Sequence, residues 1–240
     1  MLQADIAIPS IAQEEYSELE KLNHFFLSNT LNTKQCQIFT SSICCFNRYI
    51  PSGIVALSSR VADQLQEIEP FLCHEIAANV LKAATDEFGM HGTNTHYQLM
   101  IQFGEALGVE RADLNVGRYS VESAKVLGLK LKEWYRQSPV PFGLGVHIAS
   151  EQTSFDEYTS WFKAFTSDRY PLIQEDSPAH FYLKIHAELE GDHNNDSVDA
   201  VKSYISYFPE SVGEFRAGMD AYLSLYNQMM SDIRESLIQR

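Results

Sequence analysis

FYLKIHAELEGDH, residues 181–193, carries two histidines and several acids at helical spacing. At about 100° per residue, His186, Glu190 and His193 fall within about 60° of one another, one above the next. Two imidazoles and a carboxylate stacked on one stripe can close on a single divalent metal. Tyr182 stands one turn earlier on the same stripe, which places a phenol beside any such site. Glu188 and Asp192 point elsewhere, which favours Glu190 over its acidic neighbours. The competing reading is a solvated acidic helix end that happens to carry two histidines. Spacing without context is a weak signal, so the rest of the chain has to weigh in.

Outward from this stretch, apolar residues recur three and four apart almost throughout, and alternating strand-like patterns are scarce. Residues 11–29 read as a first helix, with Leu19, Leu22, Phe25 and Phe26 on one face. Thr33 is the expected cap of a second, over 34–47, and Pro51 opens a third running to about residue 67. Pro70 starts a long fourth helix that Gly89 and Gly92 stop. A fifth spans about 94–107, residues 113–119 read as a connection, and a sixth covers about 121–137. Beyond Pro139 and Pro141 the pattern predicts separate segments at 142–151, 155–165, 179–189, 196–208 and 211–238. The expectation is one all-α domain over residues 1–240, a bundle of eight to ten helices.

The 240 residues are 45% hydrophobic, enough for a sizeable core. A formal charge of −14 with basic residues scattered singly argues against a nucleic-acid or anionic-membrane partner. The N-terminal MLQADIAIPS lacks a basic n-region, and no apolar run approaches the length of a membrane span, so a cytoplasmic location is expected. Cys36, Cys44, Cys45 and Cys73 form no C-x-x-C pair and read as free thiols in a reducing compartment.

Two further stretches carry candidate ligands. In residues 79–96, NVLKAATDEFGMHGTNTH, an acid stands near a helix C-terminus, where the macrodipole disfavours it and a cation is wanted. Periodicity does not choose between Asp86 and Glu87. His96 opens the next helix and can face back across the turn, whereas His91, within the turn, reads as exposed. In GLGVHIASEQTS, residues 143–154, Glu151 ends a small-residue face suited to close packing, with His147 as the rival ligand one turn earlier. Serine-hydrolase, Walker-type, dinucleotide and zincin signatures are absent.

Taken together and in this order, D-E-x-G at residues 86–89, the His96 after it, Glu151 and H-x-x-x-E-x-x-H at residues 186–193 resemble the non-heme metal branch of the heme-oxygenase-like fold. The similarity is to the family of the chlamydial death-domain-associating protein (CADD), with UndA-type oxidases, TenA and PqqC as more distant relatives. The resemblance implies Glu87, His96, Glu151, His186, Glu190 and His193 as ligands of two iron ions (or Fe/Mn), and it is what selects Glu87 over Asp86. Where the family usually has Asp, this chain has Glu190; its longer arm can still ligate but shifts or weakens the second metal, with Asp192 as fallback. His24 lies about where heme oxygenase has its proximal histidine, but a six-ligand set fits a heme pocket poorly.

The activity so implied is oxidation of a small organic substrate, lipid-like or amino-acid-derived, with dioxygen as co-substrate. Tyr182 and Tyr97 are candidates for redox-active or substrate-orienting roles, against the plainer reading of core tyrosines; Asp86 reads as a solvated acid, with a hydrogen-bond acceptor behind the ligands as the alternative. The alternatives are a helical interaction module of the death-domain-binding type and a PqqC-like cofactor-free oxidase. A homodimer fits proteins of this kind, although the sequence displays no interface stripe.

Overall fold

Prolines and short polar side chains set most of the helix boundaries. The computed structural model describes residues 11–89 and 94–239, without the side chains of residue 13 and residues 189–192. After a 3-10 turn (Gln13–Tyr16) come α1 (Ser17–Ser28), α2 (Thr33–Asn47), α3 (Ile50–Leu65), α4 (Pro70–Glu87), α5 (His96–Ala106), α6 (Arg111–Val116), α7 (Glu122–Gln137), α8 (Val140–Phe165), α9 (Pro178–Tyr207) and α10 (Val212–Ile238). Strands are absent among the described residues. Pro51, Pro70, Pro141 and Pro178 each stand in a first turn, where the missing N–H has no intrahelical acceptor to lose. None of these helices is long and apolar enough to cross a membrane.

Four expected boundaries change. Asn32 rather than Thr33 caps α2: its Oδ1 accepts from the Gln35 N–H at 3.0 Å, and the Gln35 Oε1 accepts from the Asn32 N–H at 2.8 Å. The connection expected at 113–119 holds the short α6. The segments 142–151 and 155–165 are one helix, α8. Across the apparent break, the Thr153 hydroxyl bonds back to the Ala149 carbonyl at 3.0 Å, so this polar run satisfies itself without leaving the helix. Likewise 179–189 and 196–208 fuse into α9, whose packing on α4, α5 and α8 outweighs the weak helix propensity of Gly191.

Helix α8 runs through the middle of the bundle, packed by α9 and α10 and flanked by α1, α3 and α7. Its first half is small and apolar, and Gly145 lies directly against the Phe215 backbone of α10, while Gly218 of α10 lies against the Phe142 backbone. Below the middle, Phe26, Phe39, Trp161 and Phe165 close the core. Phe39 stacks on Phe165 at 5.5 Å, and Trp161 stands edge-on to Phe39 at 4.8 Å. Cys36, Cys44 and Cys73 are buried and all four cysteines are free thiols, as the spacing implied.

The α8–α10 contact also encloses polar groups. Thr153 and Tyr222 share a hydrogen bond at 3.1 Å, and the Tyr226 hydroxyl donates to Glu157 Oε2 at 2.6 Å. The other Glu157 oxygen is buried without a partner among the described residues. Burial therefore pushes the Glu157 carboxyl up to about 8, against the opposing pull of the Tyr226 hydrogen bond.

Two outcomes follow from this interface. Gly145→Ala should destabilise the fold by about 1–3 kcal/mol, because backbone and not a flexible side chain occupies the Cβ position; an unchanged thermal midpoint would contradict the close approach. For Glu157, the folded state holds a proton that the unfolded chain releases between its ordinary value of 4.5 and about 8. Its contribution is therefore complete below 4.5 and is lost as pH rises through about 8. Glu157→Gln, which keeps an acceptor for Tyr226, should match the parent at pH 4.5 and unfold at higher temperature at pH 8. Parallel curves across that range would contradict it.

Candidate metal centre

Glu87 is the last residue of α4, and Gly89, at φ +67°, turns the chain away in a conformation that side chains rarely adopt. A carboxylate here opposes the helix dipole and needs positive partners. Two imidazoles stand beside it. His96 is the first residue of α5, held by a capping box in which Thr95 Oγ1 accepts from the Gln98 N–H and Gln98 Oε1 accepts from the Thr95 N–H, both at 3.1 Å. Its Nδ1 lies 3.2 Å from Glu87 Oε1.

His186, from α9, donates Nδ1–H to the Tyr182 carbonyl at 2.8 Å, which leaves Nε2 as the free nitrogen, 3.8 Å from the same Glu87 oxygen. The two rings are 4.4 Å apart. One donor atom from each of Glu87, His96 and His186 lies within 4.8 Å of the others. Burial would raise the Glu87 carboxyl, but the adjacent imidazoles of His186 and His96 outweigh it and hold it far below the usual carboxylate range.

A second group lies across the cavity. Glu151 of α8 is 6% exposed. Its Oε2 is 3.8 Å from His193 Nδ1, and its Oε1 is 3.4 Å from His147 Nδ1. On the far side of its ring, His193 Nε2 meets Asp86 Oδ2 at 2.8 Å. That carboxylate–imidazole pairing commonly fixes the tautomer and orientation of a metal-ligating histidine. Adjacent acids at the end of α4 thus address different imidazoles of α9, Asp86 reaching His193 and Glu87 reaching His186. Burial pushes the Glu151 carboxyl up against the pull of His193, and the Glu87 charge adds to the rise.

Glu87, Glu151, His186 and His193 line one cavity of about 30 Å³, together with Asn47 and Tyr158. A smaller one of about 10 Å³ lies on the other side of Glu87 and His186, reaching His96, Tyr97 and Tyr182. All donors are carboxylate oxygens or imidazole nitrogens, without a thiolate, which suits iron or manganese. Among the described residues the partners of both cavity carboxylates are imidazoles rather than lysine or arginine. The residues present fit a divalent metal.

Five of the six implied ligands thus stand around one cavity system, in two groups. His186 and His193 face different carboxylates, not one shared point as their common stripe suggested. Glu190 lies between them on α9, but its side chain, like that of Asp192, is outside the described residues; so is His91. Tyr97 is half-buried, and its hydroxyl accepts a hydrogen bond from Arg48 at 3.4 Å. Tyr182 is fully enclosed, with its hydroxyl 2.6 Å from that of Tyr158. His24 is exposed and turned away from the core.

Sequence reasoning passed over Tyr158 and Asn47. The Tyr158 ring stacks on His186 at 4.2 Å, and its hydroxyl accepts from Asn47 at 3.3 Å. A signal for Tyr158 existed, because it is two turns beyond Glu151 on the same stripe. Dividing α8 in two concealed it. Asn47, the last residue of α2, carries no pattern that marks it.

No family model matches the sequence, and no curated protein does. Solved structures do match. A domain of unknown function with a heme oxygenase-like fold from Shewanella denitrificans OS217 superposes with a TM-score of 0.71 at 13% identity, covering 98% of this chain and 96% of its own. A TenA homolog from Pseudomonas syringae pv. tomato DC3000 gives 0.60 at 11% identity, over 97% and 94%. At such identities the likeness speaks to the fold alone: this chain is an all-α bundle with a heme-oxygenase-like fold.

Proposed function

We propose that this chain is a non-heme di-metal oxidase or oxygenase that uses dioxygen to oxidise a small organic substrate. The observation that carries this reading is the Glu87–His96–His186 donor group, two members of which, Glu87 and His186, line the same cavity as Glu151 and His193. Two carboxylates lining one small cavity are costly unless positive charge joins them, and imidazoles alone supply it only when protonated. In this reading Glu87, His96 and His186 would hold one ion. Glu151 and His193 would hold the other, with Glu190 added by the resemblance to CADD-like proteins. When bound, a pair of iron ions (or Fe/Mn) would supply reduction of dioxygen coupled to oxidation of the substrate.

The chain's own residues would orient and enclose. The Tyr182 carbonyl fixes His186 as the tautomer with Nε2 free, and Asp86 orients His193. Tyr158, stacked on His186, shares a proton with Tyr182 across 2.6 Å. A cavity of about 30 Å³ has room for a guest of about one water molecule, which dioxygen approaches in size. An organic substrate, lipid-like or amino-acid-derived, would enter only as side chains move aside.

Anaerobic Fe(II) loading tests the reading. The parent should take up about two ions per chain and develop a transient absorbance on exposure to oxygen. His186→Ala and Glu151→Ala should each remove about one ion and abolish the transient. No uptake above background would overturn the proposal, and substrate oxidation by metal-free protein would favour the PqqC-like alternative.

A further inference from the structure

Three buried histidines at this site share one arrangement: a partner on one ring nitrogen and a carboxylate near the other. For His186 the partner is the Tyr182 carbonyl, and for His193 it is Asp86. For His147 it is the Ser197 hydroxyl, 3.1 Å from Nε2. His147 and Glu151 are one turn apart on α8, and His193 and Ser197 one turn apart on α9. The two helices therefore present a closed square, in which each histidine also reaches a side chain of the facing helix.

His147 differs from the other two in position. It is 0% exposed and does not line the cavity, so it stands behind Glu151. Among the described residues its buried Nδ1 has no hydrogen-bond partner, although Glu151 Oε1 is only 3.4 Å away. The proton position can be argued from this. With the proton on Nε2, a bare Nδ1 lone pair would face, at 3.4 Å in a dry environment, an oxygen of the ionised carboxylate that a metal ligand must be, which is repulsive. With Ser197 donating to Nε2, the proton sits on Nδ1 and points at Glu151.

We infer that His147 is a positioning residue for Glu151: its Nδ1–H, fixed by Ser197, takes Oε1 so that Oε2 is presented to His193 and the metal beside it. This rests on the proposed metal reading, in which Glu151 is a ligand. Glu151 is then gripped at both oxygens, by a proton on one and a metal on the other. The task of His147 is to stop a buried acid from rotating out of the cavity.

Two measurements test it. In metal-free parent protein, 15N spectra of labelled histidine should report the Nδ1–H tautomer for His147; the Nε2–H tautomer would overturn the inference. In metal titrations, His147→Leu should weaken uptake at one of the two positions by about 10–100-fold and leave the other unchanged. His147→Asn, whose amide N–H falls near the place of Nδ1, should restore most of that loss, whereas His147→Gln, which reaches toward Nε2, should not. Thermal unfolding of each variant separates a lost fold from a lost ligand. Parental affinity in folded His147→Leu, or equal weakening in all three variants, would overturn the positioning role. If the parent itself takes up no metal, the oxidase reading fails, and the tautomer spectrum still decides whether His147 donates to Glu151.

Discussion

Two carboxylates from different helices, the half-buried Glu87 and the buried Glu151, line a single cavity, and much of the architecture answers the cost of putting them there. Isolated charges out of water are expensive, and like charges sharing a small space more so. The fold responds with imidazoles from three helices: His96 from α5, His186 and His193 from α9, and His147 from α8. His147, His186 and His193 are each held by a second partner, so their nitrogens facing the acids are placed before anything binds. The Glu87 carboxyl is held low by its histidines while that of Glu151 is pushed up by burial, so one cavity contains two acids in different electrostatic surroundings.

That arrangement depends on long, uninterrupted helices brought close together. Gly145 and Gly218 allow α8 and α10 to touch backbone to backbone, which seats α8 deep enough for Glu151 to be enclosed. The length of α9 then matters, because it carries His186 and His193 two turns apart, one for each carboxylate. The short turn at Gly89 brings His96 back over the end of α4. Glu157 and Tyr226 form a separate buried polar contact on α8, away from the cavity, and its pH dependence belongs to the scaffold rather than to the site.

Much of this was legible in the sequence, for physical reasons that differ from residue to residue. Three-and-four spacing of apolar residues marks a helical bundle however remote its relatives, which is why the fold class needed no matching family. His186 and His193 announced themselves because polar residues on a buried stripe need a reason to be there. The choice of Glu87 over Asp86 was beyond periodicity, since neighbouring residues on a helix end differ only in which partner the tertiary fold brings. Here that partner is His186 for one and His193 for the other. The extent of α8 and α9 was misjudged because Thr153, Ser154 and Gly191 look like breakers locally, and only the packing of α8 on α10 and of α9 on α4 carries the helices through. Asn47 was invisible because a lone Asn at a helix end looks the same whether or not a cavity lies beside it.

The central claim is that these acids and imidazoles form two adjacent metal positions rather than a self-contained network of buried ion pairs. The most direct measurement is anomalous diffraction at the iron and manganese edges from crystals grown with each ion. The account predicts two peaks, one among Glu87, His96 and His186 and one between Glu151 and His193, with Asp86 and His147 behind the ligands. A map without anomalous density at the cavity, in which Glu87 and Glu151 stay paired with histidines alone, would contradict it.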